Sequence, residues 1–456
     1  MTEKRTSMHG QWSSRWAFIL AATGSAVGLG NIWRFPYIAG ENGGGAFVLV
    51  YLLCVLLVGI PIMVAEIMLG RRGRQSPINT MRTLAAEEGY SSHWQYLGWM
   101  GVVAGFLILS FYSVVAGWTL AYIFRTGAGM FHGAAASDSS RVFNELIQDP
   151  ERLLAWHTIF MGLTAVVVAR GVKSGLEQAV RYLMPTLFIL LVVLVGYAMG
   201  TEGFARAVTY LFKPDFSSIT PSTLLTALGQ AFFSLSLGMG AIMTYGSYLT
   251  RKASILRMAC AIAAADSLVA ILAGLAIFPI VFTYGLEPGE GSGLVFKTLP
   301  IAFGQMPFGS FFGAFFFVLL MFAGWTSSIS LLEPAVAWLV ENHGLTRVKA
   351  SCYAAILAWV LGMGSLLSLN IWSDKKLFNL TFFNMVESIT ANIMLPVGGL
   401  LIAVFGAWLM SQDSSFEELN LDKLTYGIWR FIARYIAPAG VILIFLQAIG
   451  VFRNLT

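Results

Sequence analysis

Charged residues are scarce in this 456-residue chain. Asp, Glu, Lys and Arg make up 11% of it, whereas an ordinary soluble domain has about 25%. Hydrophobic residues make up 57%, and the mean hydropathy is +0.74. This composition excludes a protein whose main solvent is water and predicts one embedded in a lipid bilayer. The net charge is only +5, and the basic residues are distributed by membrane side, so no nucleic-acid partner is indicated.

Cysteine, histidine and catalytic motifs are equally rare. The three cysteines, Cys54, Cys260 and Cys352, lie in apolar segments, which indicates packing residues and no disulfide framework or zinc site. Neither H-E-x-x-H nor G-x-S-x-G occurs, and most of the five histidines lie near predicted loops or span ends. We therefore expect no enzyme activity. The first apolar run is long and is followed by further runs, so we expect no cleavable signal peptide.

Long apolar runs dominate what is present. A helix needs about 20 apolar residues to cross the hydrocarbon of a bilayer. On that measure the sequence predicts an all-α integral membrane protein with eleven transmembrane helices, at 14–39, 45–70, 95–125, 153–170, 176–200, 222–249, 254–283, 309–341, 348–371, 382–411 and 427–452. A shorter apolar piece, Leu294–Phe303, cannot span and is predicted to cap an outer surface.

Lys and Arg are distributed unequally between the two sides of the membrane. If the N-terminus is cytoplasmic, the inner segments hold 18 of these residues and the outer segments hold 9, with Arg34 left inside a span. Positive residues favour the cytoplasmic side. The sequence therefore predicts a multi-pass protein of the cell (cytoplasmic, or inner) membrane with a cytoplasmic N-terminus, and eleven spans place the C-terminus outside.

Paired glycines interrupt two of the predicted spans. Gly28-Leu29-Gly30 lies in the first and Gly238-Met239-Gly240 in the sixth. A glycine costs about 1 kcal/mol relative to alanine in a helix, and unwound backbone at membrane depth must be buried or line a cavity. Close packing of small residues would explain the first pair alone, but not a break that recurs five spans later.

The matching breaks predict a 5+5 inverted repeat with broken helices 1 and 6 plus one extra helix. Broken helices at corresponding positions point to a binding site at the membrane midplane, because freed carbonyls bind cations and helix N-termini bind carboxylates. The predicted divisions are 1–13 (cytoplasmic N-terminus), 14–200 (first repeat, TM1–5), 201–411 (second repeat, TM6–10) and 412–456 (TM11 and the C-terminus).

Three segments carry a family likeness. They are G-S-A-V-G-L-G-N-I-W-R-F-P (24–36) with the following E-N-G-G-G-A-F (41–47), S-L-S-L-G-M-G (234–240) and A-G-W-T-S-S (323–328). They resemble the neurotransmitter:sodium symporter family, and the likeness covers nearly the whole chain. Eleven spans rather than twelve look like its bacterial members. The resemblance implies sodium-driven amino-acid uptake by alternating access, with two sodium sites and no organic cofactor.

The resemblance implies which residues bind sodium. The first site matches Ala26, Asn31, Ser234 and Asp266. The second matches the backbone carbonyls of Gly24, Val27 and Ala323 and the hydroxyls of Thr326 and Ser327. These two hydroxyls could equally bond back to their own helix.

Asp266 stands where the family usually has asparagine. Some members bind chloride at positions that match Tyr51, Gln230, Ser234 and Ala270. Positions 266 and 270 share a helix face. We therefore hypothesise that Asp266 both binds sodium and supplies the negative charge, so that chloride is not required.

The resemblance also implies a substrate site. The backbone at Ala26 and Gly30 and the Tyr112 hydroxyl would hold a carboxylate. The remaining matched residues are Ile108, Phe233, Ser234, Ser236, Met239, Ser327 and Leu331. This apolar lining could equally be core; as a pocket it excludes charged substrates. Met239 adapts its shape, so we predict hydrophobic L-amino acids as substrates, aromatic ones included.

Two pairs match the gates of the family. Arg34 and Glu387 match the outer gate, although Arg34 could instead extend its charge toward the outer surface. Trp12 and Glu341 match the inner gate, whose usual basic residue falls at His9. Either Arg5 or Lys4 substitutes for that residue, or His9 makes closure of this gate sensitive to pH.

Other membrane residues have expected roles in helix geometry. Gly175 and Pro185 are similar to an element that lets the fifth helix unwind, although a simple proline kink is an even alternative. Glu66 is expected to brace the broken first helix, and Glu333 is a further intramembrane acid.

The alternative functions are a sodium symporter of another inverted-repeat family and a non-transporting amino-acid sensor, or a channel, on the same scaffold. The expected partners are the lipid bilayer and a hydrophobic or aromatic L-amino acid, and the sequence does not indicate an oligomeric state.

Overall fold

Helices make up almost the whole of the protein. The computed structural model describes residues 5–286, 293–448 and 451, so Lys4 and most of the residues after 448 lie outside it. Within these ranges no β-strand occurs apart from an isolated bridge between Leu377 and Leu380. In chain order the helices are α1 (Arg15–Ala26), α2 (Gly30–Glu41), α3 (Gly45–Gly73), α4 (Pro77–Glu87), α5 (Gln95–Gly127), α6 (Ala136–Gln148), α7 (Pro150–Ala169), α8 (Val172–Met199), α9 (Phe204–Phe212), α10 (Pro221–Ser234), α11 (Ala241–Ser247), α12 (Ile255–Thr283), α13 (294–305), α14 (Gly309–His343), α15 (Arg347–Leu367), α16 (Phe382–Leu409), α17 (Gln412–Leu419) and α18 (423–448).

The predicted spans all coincide with helices. Eight helices in the described ranges are long and apolar enough to cross a membrane, and the bent pair α1–α2 brings the number to nine. The predicted sixth and eleventh spans correspond to α10–α11 and α18, which are not among these nine. An all-helical, multi-span protein is therefore established, whereas the number eleven and the inverted repeat stay predictions.

Both predicted helix breaks are present. The α1 helix ends at Ala26 because Val27 is extended, with ψ 105°, and the axis bends by 52° before α2. The break between α10 and α11 contains Gly238 and Gly240 with φ of +80° and +74°. Glycine adopts this left-handed region without a steric penalty, which explains why the sequence has glycine where the helix stops.

Helix α3 lies directly against the second break. A Cβ added to Gly70 would lie 1.9 Å from the Met243 carbonyl oxygen, so the α3 and α11 backbones touch. Four residues earlier on the same helix face, Glu66 accepts the Gly238 N–H at 3.2 Å. The expectation that Glu66 braces the first broken helix is therefore wrong. The carboxylate braces the second one, because α3 packs on α11.

The two longest helices, α5 and α14, pack along each other and pass beside both breaks. Most of their inward-facing residues are buried, including Ile108 and Tyr112 on α5 and Ser327 and Leu331 on α14. The unwound backbone of the two breaks therefore packs against these two helices.

Candidate functional site

A small cavity lies where the two breaks meet α5 and α14. Its volume is about 30 Å³, enough for a water molecule. Within the described part of the chain, no charged residue lines it. The lining is Ser25, Ala26, Gly28, Gly30, Ile108, Tyr112, Phe233, Ser236, Met239, Ser327 and Leu331. We call this space the central cavity.

The central cavity collects all the predicted substrate residues except Ser234, which lies outside the lining. Ser25 and Gly28 line the cavity too but were missing from the predicted substrate set. Both belong to the glycine-rich motif of the first span, so the motif itself was a signal for them. Ser236 joins the two breaks, because its hydroxyl donates to the Ser25 carbonyl at 3.0 Å.

One end of the central cavity is polar. The Tyr112 hydroxyl accepts the Leu29 backbone N–H at 2.9 Å. Gly28 lies so close that an added Cβ would be 2.6 Å from both this hydroxyl and the Ser327 hydroxyl. Backbone N–H groups freed by a helix break, together with a hydroxyl, are the donors that a carboxylate needs.

A cluster of four buried side chains lies beside the first break. It consists of Asn31, Tyr51, Ser234 and Asp266, which we call the Asp266 cluster, and none is more than 1% exposed. Asp266 accepts hydrogen bonds from Asn31 Nδ2 at 2.7 Å, from Ser234 Oγ at 2.5 Å and from the Tyr51 hydroxyl at 3.3 Å. Helices α2, α3, α10 and α12 are joined there around one carboxylate.

The Asp266 cluster includes two of the residues predicted for chloride. Tyr51 and Ser234 contact Asp266, whereas Gln230 donates to the Gly30 carbonyl at 3.0 Å. Ala270 is buried and presents only a methyl group. The carboxylate of Asp266 therefore lies against two of the four predicted chloride residues.

The predicted second sodium residues meet across α1 and α14. The Ser327 hydroxyl lies 3.5 Å from the Gly24 carbonyl, 3.2 Å from that of Ser25 and 3.4 Å from that of Val27. Three carbonyls at the end of α1 and in the break thus converge on one hydroxyl. The Thr326 hydroxyl instead bonds back to Phe322 and Ala323 of its own helix at 3.1 Å, as the alternative reading expected. Oxygen atoms of this kind are the ligands that hard cations prefer.

A large open cavity lies above the central cavity, at the end of the molecule that α2 faces. We call this space of about 450 Å³ the vestibule. Gly30, Tyr112 and Phe233 line both cavities and separate them. Both predicted outer-gate residues also line the vestibule, yet Arg34 and Glu387 are not among the ion pairs formed within the described ranges. The Arg34 guanidinium lies over the Phe233 ring at 4.6 Å.

The opposite end of the molecule is closed by residues 5–14, which we call the N-terminal segment. Trp12 is 2% exposed, and its indole N–H donates to the Tyr245 carbonyl at 3.0 Å. His9 Nε2 lies 3.0 Å from Glu341 Oε1. Arg5 is paired with Glu87 on α4, so of the two expected basic residues in the described chain, His9 is the one that contacts Glu341.

The remaining predicted residues lie around this closed end. Gly175 belongs to a π-helical turn at the start of α8, and Pro185 lies inside that helix. Met184 beside it packs on Gly24, where an added Cβ would meet its sulfur at 3.1 Å. Glu333 accepts the Tyr248 hydroxyl at 2.7 Å and pairs with Arg347.

Comparisons with known proteins agree over nearly the full length. A family model described as the sodium:neurotransmitter symporter family matches residues 9–132 and 141–456. The chain is 41% identical over 445 residues to the uncharacterized sodium-dependent transporter YhdH of Bacillus subtilis (97% of this chain, 98% of that protein). It is 34% identical over 445 residues to an uncharacterized sodium-dependent transporter of Haemophilus influenzae (96% and 97%). The crystal structure of MhsT in complex with L-phenylalanine matches with a TM-score of 0.89 and 42% identity, over 96% of this chain and 99% of that one.

Proposed function

The chain belongs to the sodium:neurotransmitter symporter family, and from this premise we propose that it imports hydrophobic L-amino acids with sodium by alternating access. Members of this family are sodium-dependent transporters and not enzymes. The observation that carries the proposed substrate is the central cavity, which combines a polar end at the first break with an otherwise apolar lining free of charged side chains. A zwitterionic amino acid with an apolar side chain matches both parts, because its carboxylate suits the polar end and its side chain suits the apolar lining.

The substrate carboxylate is placed at the polar end of the cavity. Backbone groups at Ala26 and Gly30 and the Tyr112 hydroxyl would hold it, next to a sodium ion bound by Ala26, Asn31, Ser234 and Asp266. The side chain would lie against Ile108, Phe233, Ser236, Met239 and Leu331. The cavity of about 30 Å³ must widen to admit it, and the flexible thioether of Met239 can move at low cost. The bound L-phenylalanine of MhsT supports an aromatic amino acid among the substrates.

A second sodium ion is placed where the Ser327 hydroxyl meets the freed carbonyls of Gly24 and Val27, with Ala323 and Thr326 completing the site. Binding there would hold α1 against α14. Since α14 packs on α5, sodium would stabilise the arrangement in which the N-terminal segment is closed. Loss of this ion would release α1 and open the end of the molecule that the N-terminal segment closes.

The two ends of the molecule are assigned to the two sides of the membrane. The end closed by the N-terminal segment faces the cytoplasm, which agrees with the bias of Lys and Arg, and the vestibule faces outward. An open vestibule above a closed N-terminal end corresponds to an outward-facing state. Pairing of Arg34 with Glu387 above Phe233 would then seal the substrate before the inner end opens.

The test of this function uses purified protein in proteoliposomes whose lumen either contains sodium or is free of it. We expect labelled leucine to accumulate only with an inward sodium gradient, and hydrophobic amino acids, including tryptophan and phenylalanine, to compete while lysine and glutamate do not. Trans-stimulated exchange of labelled leucine would separate a carrier from a sensor, which binds without exchange. Strong competition by glycine with none by leucine or tryptophan would contradict the proposed substrate class.

Two tyrosines of α5 provide a matched pair of variants for this assay. Tyr112→Phe removes the hydroxyl at the polar end of the cavity, and we expect substrate affinity to fall about tenfold or more, the usual effect of losing a hydrogen bond to a charged group. Tyr122→Phe removes an equally buried hydroxyl that donates to the Phe296 carbonyl at 2.9 Å, away from the cavity. It is expected to transport normally.

Chloride independence is a separate expectation. Replacing all chloride by gluconate at constant sodium is expected to leave the initial uptake rate unchanged, because the Asp266 carboxylate already supplies a negative charge amid the predicted chloride residues. Sulfate replacement serves as the control for effects of gluconate itself. A loss of uptake in both media would refute this role for Asp266.

A further inference from the structure

The contact that closes the N-terminal end is made by a histidine. The side chains of His9 and Glu341 are 3% and 5% exposed, and His9 Nε2 lies 3.0 Å from Glu341 Oε1. The two residues are 332 positions apart, so this contact joins the N-terminal segment to the end of α14. It can exist only while this end of the molecule is closed.

Besides His9, the donors to the Glu341 carboxylate within the described residues are neutral. The Ser76 backbone N–H lies 2.7 and 3.0 Å from its two oxygens, and Asn79 Nδ2 donates to Oε2 at 2.8 Å. Within the described part of the chain, His9 is the one ion-pair partner found for Glu341. Whether this buried carboxylate faces a positive charge therefore depends on the proton of His9.

Other charged groups described near His9 have partners of their own, and Arg82 donates to Asn79. The ring of Tyr248 lies 5.8 Å from the His9 ring, and its hydroxyl donates to Glu333, which pairs with Arg347. Along the N-terminal segment, Arg5 pairs with Glu87, which also lies 3.5 Å from Arg72. Arg74 donates to the backbone carbonyls of Ser247 and Leu249. Among these side chains, histidine is the one that ordinarily changes charge between about pH 5 and 8.

We propose that His9 is a positioning residue for the inner seal and that its proton sets how tightly the N-terminal segment is held. Protonated His9 forms a buried, hydrogen-bonded ion pair with Glu341, whereas neutral His9 donates a hydrogen bond to the carboxylate without the attraction of a positive charge. A positive charge beside a buried carboxylate stabilises the ionised pair. Acid therefore favours the closed end and alkali favours its opening. That this end leads to the cytoplasm rests on the proposed function, and there cytoplasmic acid would slow release.

The direction of the expected pH effect follows from thermodynamic linkage between protonation and closure. The closed state brings the carboxylate of Glu341 to the His9 ring, and opening separates the two and lets water reach both. A proton on His9 therefore stabilises the closed state more than the open one. Arginine at position 9 would keep the ion pair at every pH, and glutamine would lack it at every pH.

Distance measurements between spin labels test the proposal without requiring transport. Labels are placed by cysteine substitution at Thr6 and Val348, both exposed, in protein lacking Cys54, Cys260 and Cys352 and held in lipid nanodiscs without sodium or substrate. Between pH 5.5 and pH 8 we expect the population with long distances to rise about fivefold, the effect of about 1 kcal/mol. His9→Arg should keep the short distance at both pH values, and His9→Gln should give one pH-independent distribution.

Glu177→Gln supplies the matched control. The Ser13 backbone N–H and hydroxyl both donate to Glu177 on α8, so this variant loosens the same segment through another carboxylate. We expect longer distances at all pH values with the pH dependence retained. A pH-dependent shift that persists in both His9 variants, or its absence from the parent protein, would overturn the proposal. Failure of leucine uptake would overturn the proposed function and leave this result standing.

Discussion

Replacing Asp266 by alanine is expected to lower sodium-dependent leucine binding about a hundredfold. The carboxylate is completely buried and accepts hydrogen bonds from Asn31, Ser234 and Tyr51. Its removal leaves three buried polar groups without this partner, at about 1–3 kcal/mol each, and takes away the only charged oxygen ligand proposed for the first sodium ion. A tenfold change in affinity corresponds to about 1.4 kcal/mol. Scintillation proximity binding across a sodium titration measures the effect.

Two further variants identify the cause of this loss. Asp266→Asn keeps the shape and most of the hydrogen bonds but removes the charge, so a sodium affinity as low as that of the alanine variant would show that charge dominates. Leu268→Ala changes the same helix at a residue that is 50% exposed and should bind as the parent does. Normal sodium dependence in Asp266→Ala, with an unchanged melting temperature, would remove Asp266 from the sodium site.

Gly28→Ala is expected to weaken binding and uptake strongly by adding a single methyl group. The added carbon would lie 2.6 Å from the Ser327 hydroxyl and 2.6 Å from the Tyr112 hydroxyl, whereas ordinary contacts begin at 3.4 Å. Ser327 would have to leave the carbonyls of the second proposed sodium site, and Tyr112 would have to leave the polar end of the central cavity. Overpacking of this kind costs about 1–3 kcal/mol. Because both ligands bind through the displaced groups, we expect affinities to fall about tenfold to a hundredfold.

The control for Gly28→Ala is the same substitution where space is free. Gly196 lies in α8, and nothing lies within 4 Å of a Cβ built on it. Gly196→Ala should leave leucine affinity and uptake unchanged, and it should not lower the melting temperature because alanine favours the helix. Wild-type leucine affinity in Gly28→Ala would mean that the break is wider than this structure has it and would contradict the proposed position of the carboxylate.

Much of the site could be predicted because its elements are encoded by short segments of the sequence. The glycine pairs predicted both helix breaks, and the family resemblance predicted nine of the eleven residues that line the central cavity. Ser234 shows where this ends. It was predicted to bind substrate as well as sodium, yet it lies with Asn31 and Asp266 outside the cavity lining. Ser234 is the last residue of α10 and its hydroxyl donates to Asp266 of α12, so the packing of these helices decides which way its side chain points.

Residues from distant parts of the chain were harder to place. Glu66 was assigned to the wrong broken helix, because one buried acid on an apolar helix face could brace either break. The contact of α3 with α11 at Gly70 determines that Glu66 braces the second break. Likewise, the family resemblance matched Arg34 and Glu387 to the outer gate. Whether the two form an ion pair depends on the conformation of the protein, and across the described vestibule they form none.

Hydropathy and helix propensity are properties of short segments. They were enough to predict a helical membrane protein, the place of each span within four residues over the described ranges and the two interruptions. Hydrogen bonds between side chains hundreds of residues apart, such as His9 with Glu341 and Asn31 with Asp266, exist only once the helices have packed. Packing therefore selected the partner of each buried polar group, because in a medium without water each such group must find its partner within the protein.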